Sequence, residues 1–216
     1  MLDKYARAFF TKLFTPIARL LIKLGISPDV VTTVGTLGVC VGALAFYPRG
    51  EFLAGTLFIT AFVFFDTIDG VMARMNNRSS KWGAFLDSTL DRISDAAIFS
   101  GLVLWYAGPG DNWLMAGLAL ACLILGMVVS YARARAEGLG MTANVGIAER
   151  AERLVIVLVT TGFVGMGLFP EVVLKVVLGL LAVASLVTVI QRMLTVRRQA
   201  LAETESPEAA DTPKGS

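Results

Sequence analysis

Asp66-Thr67-Ile68-Asp69-Gly70-Val71-Met72-Ala73-Arg74, followed after eight residues by Gly83-Ala84-Phe85-Leu86-Asp87-Ser88-Thr89-Leu90-Asp91, is the stretch on which the fold of this chain turns. Its flanks are apolar, with Phe62-Val63-Phe64-Phe65 leading in and Ala96-Ala97-Ile98-Phe99 leading out past a fifth acid, Asp95. Asp66 and Asp69 are three apart, and Asp87 and Asp91 four apart, so each pair shares one helix face. The polar break Asn76-Asn77-Arg78-Ser79-Ser80 makes the two helices antiparallel neighbours. A charge facing lipid costs about 2.5–3.5 kcal/mol, and four would cost on the order of 10 kcal/mol. The acids must therefore face a polar cavity near one membrane surface. Carboxylates converging there repel by about 4 kcal/mol per contact at ~4 Å and an effective dielectric of ~20. Divalent cations remove that penalty, and oxygen-only ligands select Mg²⁺ or Mn²⁺. The plain structural alternative pairs these acids with Arg74, Arg78, Lys81 and Arg92.

The rest of the chain supports a membrane setting. Of 216 residues 56% are hydrophobic and only 17% charged, which departs from soluble domains in both directions. Lys and Arg number 19 against 17 Asp and Glu, a near balance that argues against a disordered chain and against a nucleic-acid partner. There is no histidine, so histidine acid/base chemistry and Cys/His zinc sites are excluded. Cys40 and Cys122 each lie in an apolar run and read as buried small hydrophobes.

The expected fold class is an all-α integral membrane protein with six transmembrane helices and an N-terminal interfacial amphipathic helix. Apolar segments run at roughly 29–48, 52–75, 83–107, 113–135, 153–169 and 171–194, each near the ~20 residues a span requires. Residues 1–25 carry Leu2, Tyr5, Phe9, Leu13, Ile17 and Leu20 at helical spacing, with Lys4, Arg7, Lys12, Arg19 and Lys23 between them. They read as an amphipathic helix in the interface, kinked near Pro16, and not as a signal peptide. The expected organisation is thus 1–25 interfacial helix, 26–198 six-helix domain and 199–216 disordered cytoplasmic tail. With both termini in the cytoplasm, 17 of the 19 Lys and Arg lie at or near that side, leaving Arg49 and Lys175 toward the far face. This is the positive-inside pattern, and it places the acids and the active site at the cytoplasmic face of the inner membrane.

Small residues and an arginine stand around the acids. Gly70, Ala73 and Gly83 let a ligand come close, and Arg74 offers a fork for a phosphate oxygen, so the group describes a diphosphate site. The full pattern, Asp66-x2-Asp69-Gly70-x2-Ala73-Arg74-x8-Gly83-x3-Asp87-x3-Asp91, resembles without gap or substitution the signature of the CDP-alcohol phosphotransferases. That resemblance implies transfer of a phosphatidyl group from CDP-diacylglycerol to an alcohol, with release of CMP. It further implies that Asp66, Asp69, Asp87 and Asp91 hold two divalent metals and that Asp91 is the general base. By the same resemblance Asp29, Thr32, Gly70, Arg74 and Ser80 contact the CDP moiety, and the protein is a homodimer. Asp95, one turn deeper, lies outside the signature and reads as a supporting acid. The Gly38-x3-Gly42 pair permits close helix packing, within one chain or between two.

The acceptor is read from arginines at the cytoplasmic helix ends: Arg133, Arg135, Arg150, Arg153 and Arg192. So many fixed positive charges beside a phosphotransfer cavity point to an acceptor that itself carries a phosphate. Ser130-Tyr131-Ala132-Arg133-Ala134-Arg135 and Gly146-Ile147-Ala148-Glu149-Arg150-Ala151-Glu152-Arg153 resemble the branch of the family whose acceptor is inositol phosphate. On that basis Arg133, Arg135, Arg153 and Arg192 are expected to hold the acceptor's phosphate. Arg150 is expected to be structural, paired with a glutamate. Glycerol-3-phosphate is the alternative acceptor. A divalent-cation transporter is the alternative of a different class, since intramembrane carboxylates also mark ion pathways.

Overall fold

The computed structural model describes residues 2–75, 80–147 and 149–205, and the side chains of 2–12, 66, 67, 204 and 205 lie outside that description. Among the described residues there are seven α-helices, one 3₁₀ turn and no strand. The helices are α1 (Leu2–Lys23), α2 (Pro28–Phe46), α3 (Phe52–Met75), α4 (Lys81–Ala107), α5 (Trp113–Glu137), α6 (Arg150–Gly165) and α7 (Glu171–Glu205), with the 3₁₀ turn at Tyr47–Arg49.

Helix ends follow the punctuation of the sequence. Ile26 and Gly25 donate back to the carbonyls of Leu21 and Ile22, and Gly25 takes φ = 76°, the glycine-requiring stop of a Schellman motif. Ser27 then caps α2, with Pro28 in the first turn. Ser80 caps α4 by accepting from the Gly83 N–H at 2.9 Å. Helix α1 is continuous, with Pro16 inside it. Helix α7 runs to Glu205, seven residues past the boundary expected at 198, and residues 206–216 lie outside the described set.

Contacts close the helices into a ring: α3 on α2, α2 on α4, α4 on α5, α5 on α7, α7 on α6 and α6 back on α3, with α1 laid outside against α3. The Gly35, Gly38 and Gly42 stripe faces inward. A Cβ on these residues would stand 2.9, 2.0 and 2.7 Å from the side chains of Phe65, Phe62 and Phe58, so α2 approaches α3 through its glycines. The stripe is therefore spent on packing within the chain. A core of Val39, Ala43, Tyr47, Phe52, Ile98, Leu102 and Tyr106 links α2, α3 and α4 and continues into the other helices. A smaller cluster, Ala18, Val31, Ile68, Val71 and Met72, seats α1.

Leu37, Leu57, Leu104, Leu180 and Val183 all point outward and are more than half exposed. A water-soluble monomer rarely shows apolar surface on this scale, whereas a lipid-facing one must. Four helical stretches are long and apolar enough to cross a membrane among the described residues: Pro28–Arg49, Phe52–Met75, Trp113–Glu137 and Glu171–Glu203. The two expected spans that fall outside this set do so for different reasons. Helix α4 has the length, but between Lys81 and Asp95 it carries Lys81, Asp87, Asp91, Arg92 and Asp95. Helix α6 has 16 residues, about 24 Å at 1.5 Å per residue, short of a ~30 Å hydrocarbon core.

Candidate active site

Three helix ends converge at one end of the ring: the N-termini of α2 and α4 and the last turns of α3. They enclose an open cleft of ≈ 580 Å³ lined by Ser27, Pro28, Asp29, Thr32, Asp69, Gly70, Ala73, Ser80, Gly83, Ala84 and Asp87. That volume is in the range of a small-molecule pocket. Two helix N-termini opening on one cleft present positive dipole ends, which favour an anionic ligand such as a diphosphate.

Five of the expected CDP contacts and metal ligands besides Asp69 line this cleft together: Asp29, Thr32, Gly70, Ser80 and Asp87. Asp69 is buried and accepts a hydrogen bond at Oδ2 from the Thr32 hydroxyl, which ties α3 to α2 at the floor of the cleft. Asp29 is oriented from the other side, by the Trp82 indole N–H at 3.1 Å from its Oδ2. Arg74 lies in the last turn of α3 and is exposed, with an Nη atom 3.8 Å from where a Cβ on Gly70 would stand. Its guanidinium therefore reaches back over the small residue that borders the cleft.

Asp91 lies apart from that lining, in a neighbouring chamber of ≈ 40 Å³ shared with Thr32, Thr36, Ser94 and Arg150. Thr32 borders both spaces. Asp66 stands on α3 one turn before Asp69, and its side chain lies outside the described residues. Among the described residues no three acidic, cysteine or histidine side chains are close enough to hold a metal by themselves. The donor chemistry nonetheless fits a hard cation: Asp69 and Asp87 line one cleft with oxygen donors, and among the described residues no nitrogen or sulfur ligand lines either space.

The acceptor arginines divide. Arg133 and Arg135 are exposed at the end of α5, and Arg133 donates from Nε to Glu137 at 2.9 Å. Arg153 is buried, with Asp95, Arg92 and Arg150 as its electrostatic neighbours. Arg192 is buried too, but donates to two backbone carbonyls: Nε to Val145 at 3.0 Å and Nη1 to Val129 at 2.6 Å. Arg133 is among its charged neighbours. The four arginines thus form one group around Arg133 and Arg192 and another around Arg153, with Arg135 exposed beside the first.

Arg150 departs from expectation. Its partners are aspartates of α4 and not a glutamate: Nη1 is 2.8 Å from Asp91 Oδ1, and Nε is 3.1 Å from Asp95 Oδ1. Sequence reasoning also missed Trp82 and the anchors of the α5–α6 loop. Gln199 accepts from the Thr142 N–H at 2.9 Å and donates to its carbonyl at 2.6 Å, and Thr188 accepts from the Ile147 N–H at 3.2 Å. With Arg192 on Val145, three side chains from one helix strap the loop along α7. The spacing of 188, 192 and 199 was the available signal, since these positions recur on one helical face.

Residues 25–196 match the family described as CDP-alcohol phosphatidyltransferase. The chain belongs to this family. It is 56% identical over 216 residues to the phosphatidylinositol phosphate synthase of Streptomyces avermitilis, covering 98% of this chain and 88% of that one. It is 47% identical over 204 residues to the synthase of the same name from Cutibacterium acnes, covering 92% and 98%. The crystal structure of the Mycobacterium tuberculosis phosphatidylinositol phosphate synthase with CDP-DAG bound superposes with a TM-score of 0.82 at 43% identity, over 86% of this chain and 94% of that one. The same enzyme in complex with manganese and citrate gives a TM-score of 0.76 at 44% identity, over 85% and 88%. The protein is accordingly a phosphatidyltransferase of phospholipid biosynthesis, and the cation-transporter alternative is set aside.

Proposed function

We propose that this phosphatidyltransferase moves the phosphatidyl group of CDP-diacylglycerol to inositol phosphate, giving phosphatidylinositol phosphate and CMP. The observation that carries the reading is the cleft itself, in which the motif residues of α3 and α4 meet the capped N-terminus of α2. The relatives named as phosphatidylinositol phosphate synthases direct the choice of acceptor.

Asp66, Asp69, Asp87 and Asp91 would hold two Mg²⁺ or Mn²⁺ ions, which supply charge neutralisation at the diphosphate and the leaving oxygen. Asp29, Thr32, Gly70, Arg74 and Ser80 bind and orient the CDP moiety. The acceptor hydroxyl bonds to the phosphorus bearing diacylglycerol as the bond to the CMP oxygen breaks, in a single in-line displacement. The hydroxyl proton passes to the Asp91 carboxylate. Arg133, Arg135, Arg153 and Arg192 hold the acceptor's phosphate. A cleft sunk below the interface keeps water from hydrolysing the activated lipid, while the acyl chains enter sideways between helices.

The setting completes the proposal: six spans, α4 and α6 included, in the inner membrane, with both termini and the cleft cytoplasmic, α1 lying in the interface, and two copies forming a homodimer. A polar tail would follow α7. The outward-facing Leu13, Ile17 and Leu20 of α1 support the interfacial placement.

The test is CMP release by purified protein from CDP-diacylglycerol with Mg²⁺ or Mn²⁺, offering inositol phosphate, glycerol-3-phosphate, inositol and serine separately. Turnover with inositol phosphate alone is expected. Turnover only with glycerol-3-phosphate would keep the chemistry and overturn the acceptor.

A further inference from the structure

Arg150 opens α6, and its guanidinium spends all three nitrogens on one stretch of α4. Nη1 is 2.8 Å from Asp91 Oδ1, Nη2 is 3.4 Å from the Asp91 carbonyl, and Nε lies 3.1 and 3.3 Å from the two carboxylate oxygens of Asp95. Asp91 and Asp95 are one helical turn apart, so without a shared cation they would repel along one face of α4. The contact is well formed for a reason of shape. Only a planar fork can donate to two carboxylates and a carbonyl at once, and a lysine ammonium, a point charge, cannot span them.

The bridge joins two parts of the site. Asp91 belongs to the signature on α4, and Arg153, one turn after Arg150 on α6, belongs to the arginine group, with Arg150 and Asp95 among its electrostatic neighbours. The ≈ 40 Å³ chamber lies at this junction, bordered by Asp91, Ser94 and Arg150. The Asp91 carboxylate also lies 3.6 Å from Nη2 of Arg92 on its own helix, and Arg150 is the contact that reaches it from α6. Given the reading of Asp91 as proton acceptor, on which this rests, we propose that Arg150 is a positioning residue: its fork across Asp91 and Asp95 fixes the Asp91 carboxylate relative to α6 and so to the acceptor. Misplacing a reacting group by about 1 Å can cost ~10²-fold in rate. A second consequence follows from charge. The guanidinium on Asp91 opposes a dication at the same carboxylate, so removing it makes the site more negative and binds metal more tightly, while turnover falls.

The experiment compares Arg150→Ala, Arg150→Lys and Asp91→Asn with the unaltered protein in detergent. Three readouts are taken: kcat and acceptor KM from CMP release, Mn²⁺ binding without substrate by electron paramagnetic resonance of free Mn²⁺, and the unfolding midpoint. Arg150→Ala is expected to lose at least tenfold in kcat with the acceptor KM within twofold, and to bind Mn²⁺ at least threefold more tightly. Arg150→Lys is expected to return Mn²⁺ affinity to the unaltered value but leave kcat low, separating charge from fork. Unchanged kcat in both variants, or a tenfold rise in acceptor KM with kcat held, would overturn the proposal. Should Arg150→Ala fail to fold, Arg150→Lys decides it: full kcat overturns, low kcat at native Mn²⁺ affinity supports. Asp91→Asn with native turnover would instead break the proton-acceptor reading, and this proposal with it. Loss in Asp91→Asn beside native turnover in both Arg150 variants breaks this proposal alone.

Discussion

The same three helices, α2, α3 and α4, end in two unlike ways. At one end Tyr47, Phe52, Trp105 and Tyr106 interlock, with ring centroids 5.8 Å apart for Phe52 against both Tyr47 and Trp105, and both tyrosines fully buried. Gly101 lets α4 come so close to α2 that a Cβ would lie 2.5 Å from the Ala43 carbonyl oxygen. At the other end the helices part around ≈ 580 Å³ of polar space, and the residues there are Asp29, Thr32, Asp69 and Asp87. Aromatic and small residues draw the helices together where apolar area can be buried. Carboxylates and two helix N-termini hold them apart where a charged ligand must fit. The closed end acts as the hinge post that lets the open end keep three acidic positions, Asp29, Asp69 and Asp87, in place without collapsing.

If that division holds, breaking each end gives a different phenotype. The largest effect belongs to Asp69→Asn, which removes a charge at the cleft floor but keeps the shape and the Thr32 contact. CMP release is expected to fall at least ~10³-fold, about 4 kcal/mol of transition-state stabilisation. The unfolding midpoint should stay within a few degrees or rise, because a buried charge is gone. A variant that loses its fold along with its activity would show that the open end is structural.

At the closed end the expected signature is reversed: stability moves and chemistry does not. Its two buried tyrosines also differ from each other. The Tyr47 hydroxyl shares a hydrogen bond of 2.9 Å with Thr56 Oγ1, whereas the Tyr106 hydroxyl is buried with no partner among the described residues. Tyr47→Phe strands the threonine hydroxyl and is expected to cost about 1–2 kcal/mol. Tyr106→Phe removes an unsatisfied polar atom and is expected to be neutral or mildly stabilising. Chemical unfolding in detergent reads both, and equal costs would mean that the two hydroxyls share a similar environment.

The two ends were not equally legible in the sequence. Asp69 and Asp87 announce themselves because a carboxylate in an apolar helix is expensive and therefore purposeful, and their spacing from Asp66 and Asp91 puts each pair on one helix face. Ser27-Pro28 and Ser80 mark the helix starts that frame the cleft. Hidden from sequence were the partners that tertiary structure supplies. Arg150 meets Asp91 and Asp95 across more than fifty residues, and Arg192 spends two nitrogens on backbone carbonyls, of Val145 in the loop and Val129 in α5, that carry no side-chain signal. The glycines of α2 left intramolecular and intermolecular packing open, since a glycine stripe has the same form in both cases; their contact with Phe58, Phe62 and Phe65 decides it. The composition turns polar at 199, which puts the expected boundary at 198, yet Gln199 is held by Thr142 and the helix continues to Glu205.

That held glutamine gives the smallest expected effect. Three side chains of α7 strap the α5–α6 loop, and they differ in burial along the helix: Thr188 and Arg192 are buried, while the Gln199 pair with Thr142 is exposed. Water replaces an exposed hydrogen bond cheaply and a buried one at the full desolvation penalty. Gln199→Ala is therefore expected to cost about 0.5–1 kcal/mol, to leave kcat and both KM values within twofold, and to speed amide exchange locally at 141–143. Thr188→Ala, at the buried end of the same strap and against the backbone of Gly146 and Ile147, should speed exchange at 145–147 and cost more. Equal exchange at both ends of the loop in the two variants would mean that the strap moves as one unit. In that case its anchoring to α7 is cooperative and not the sum of three separate contacts.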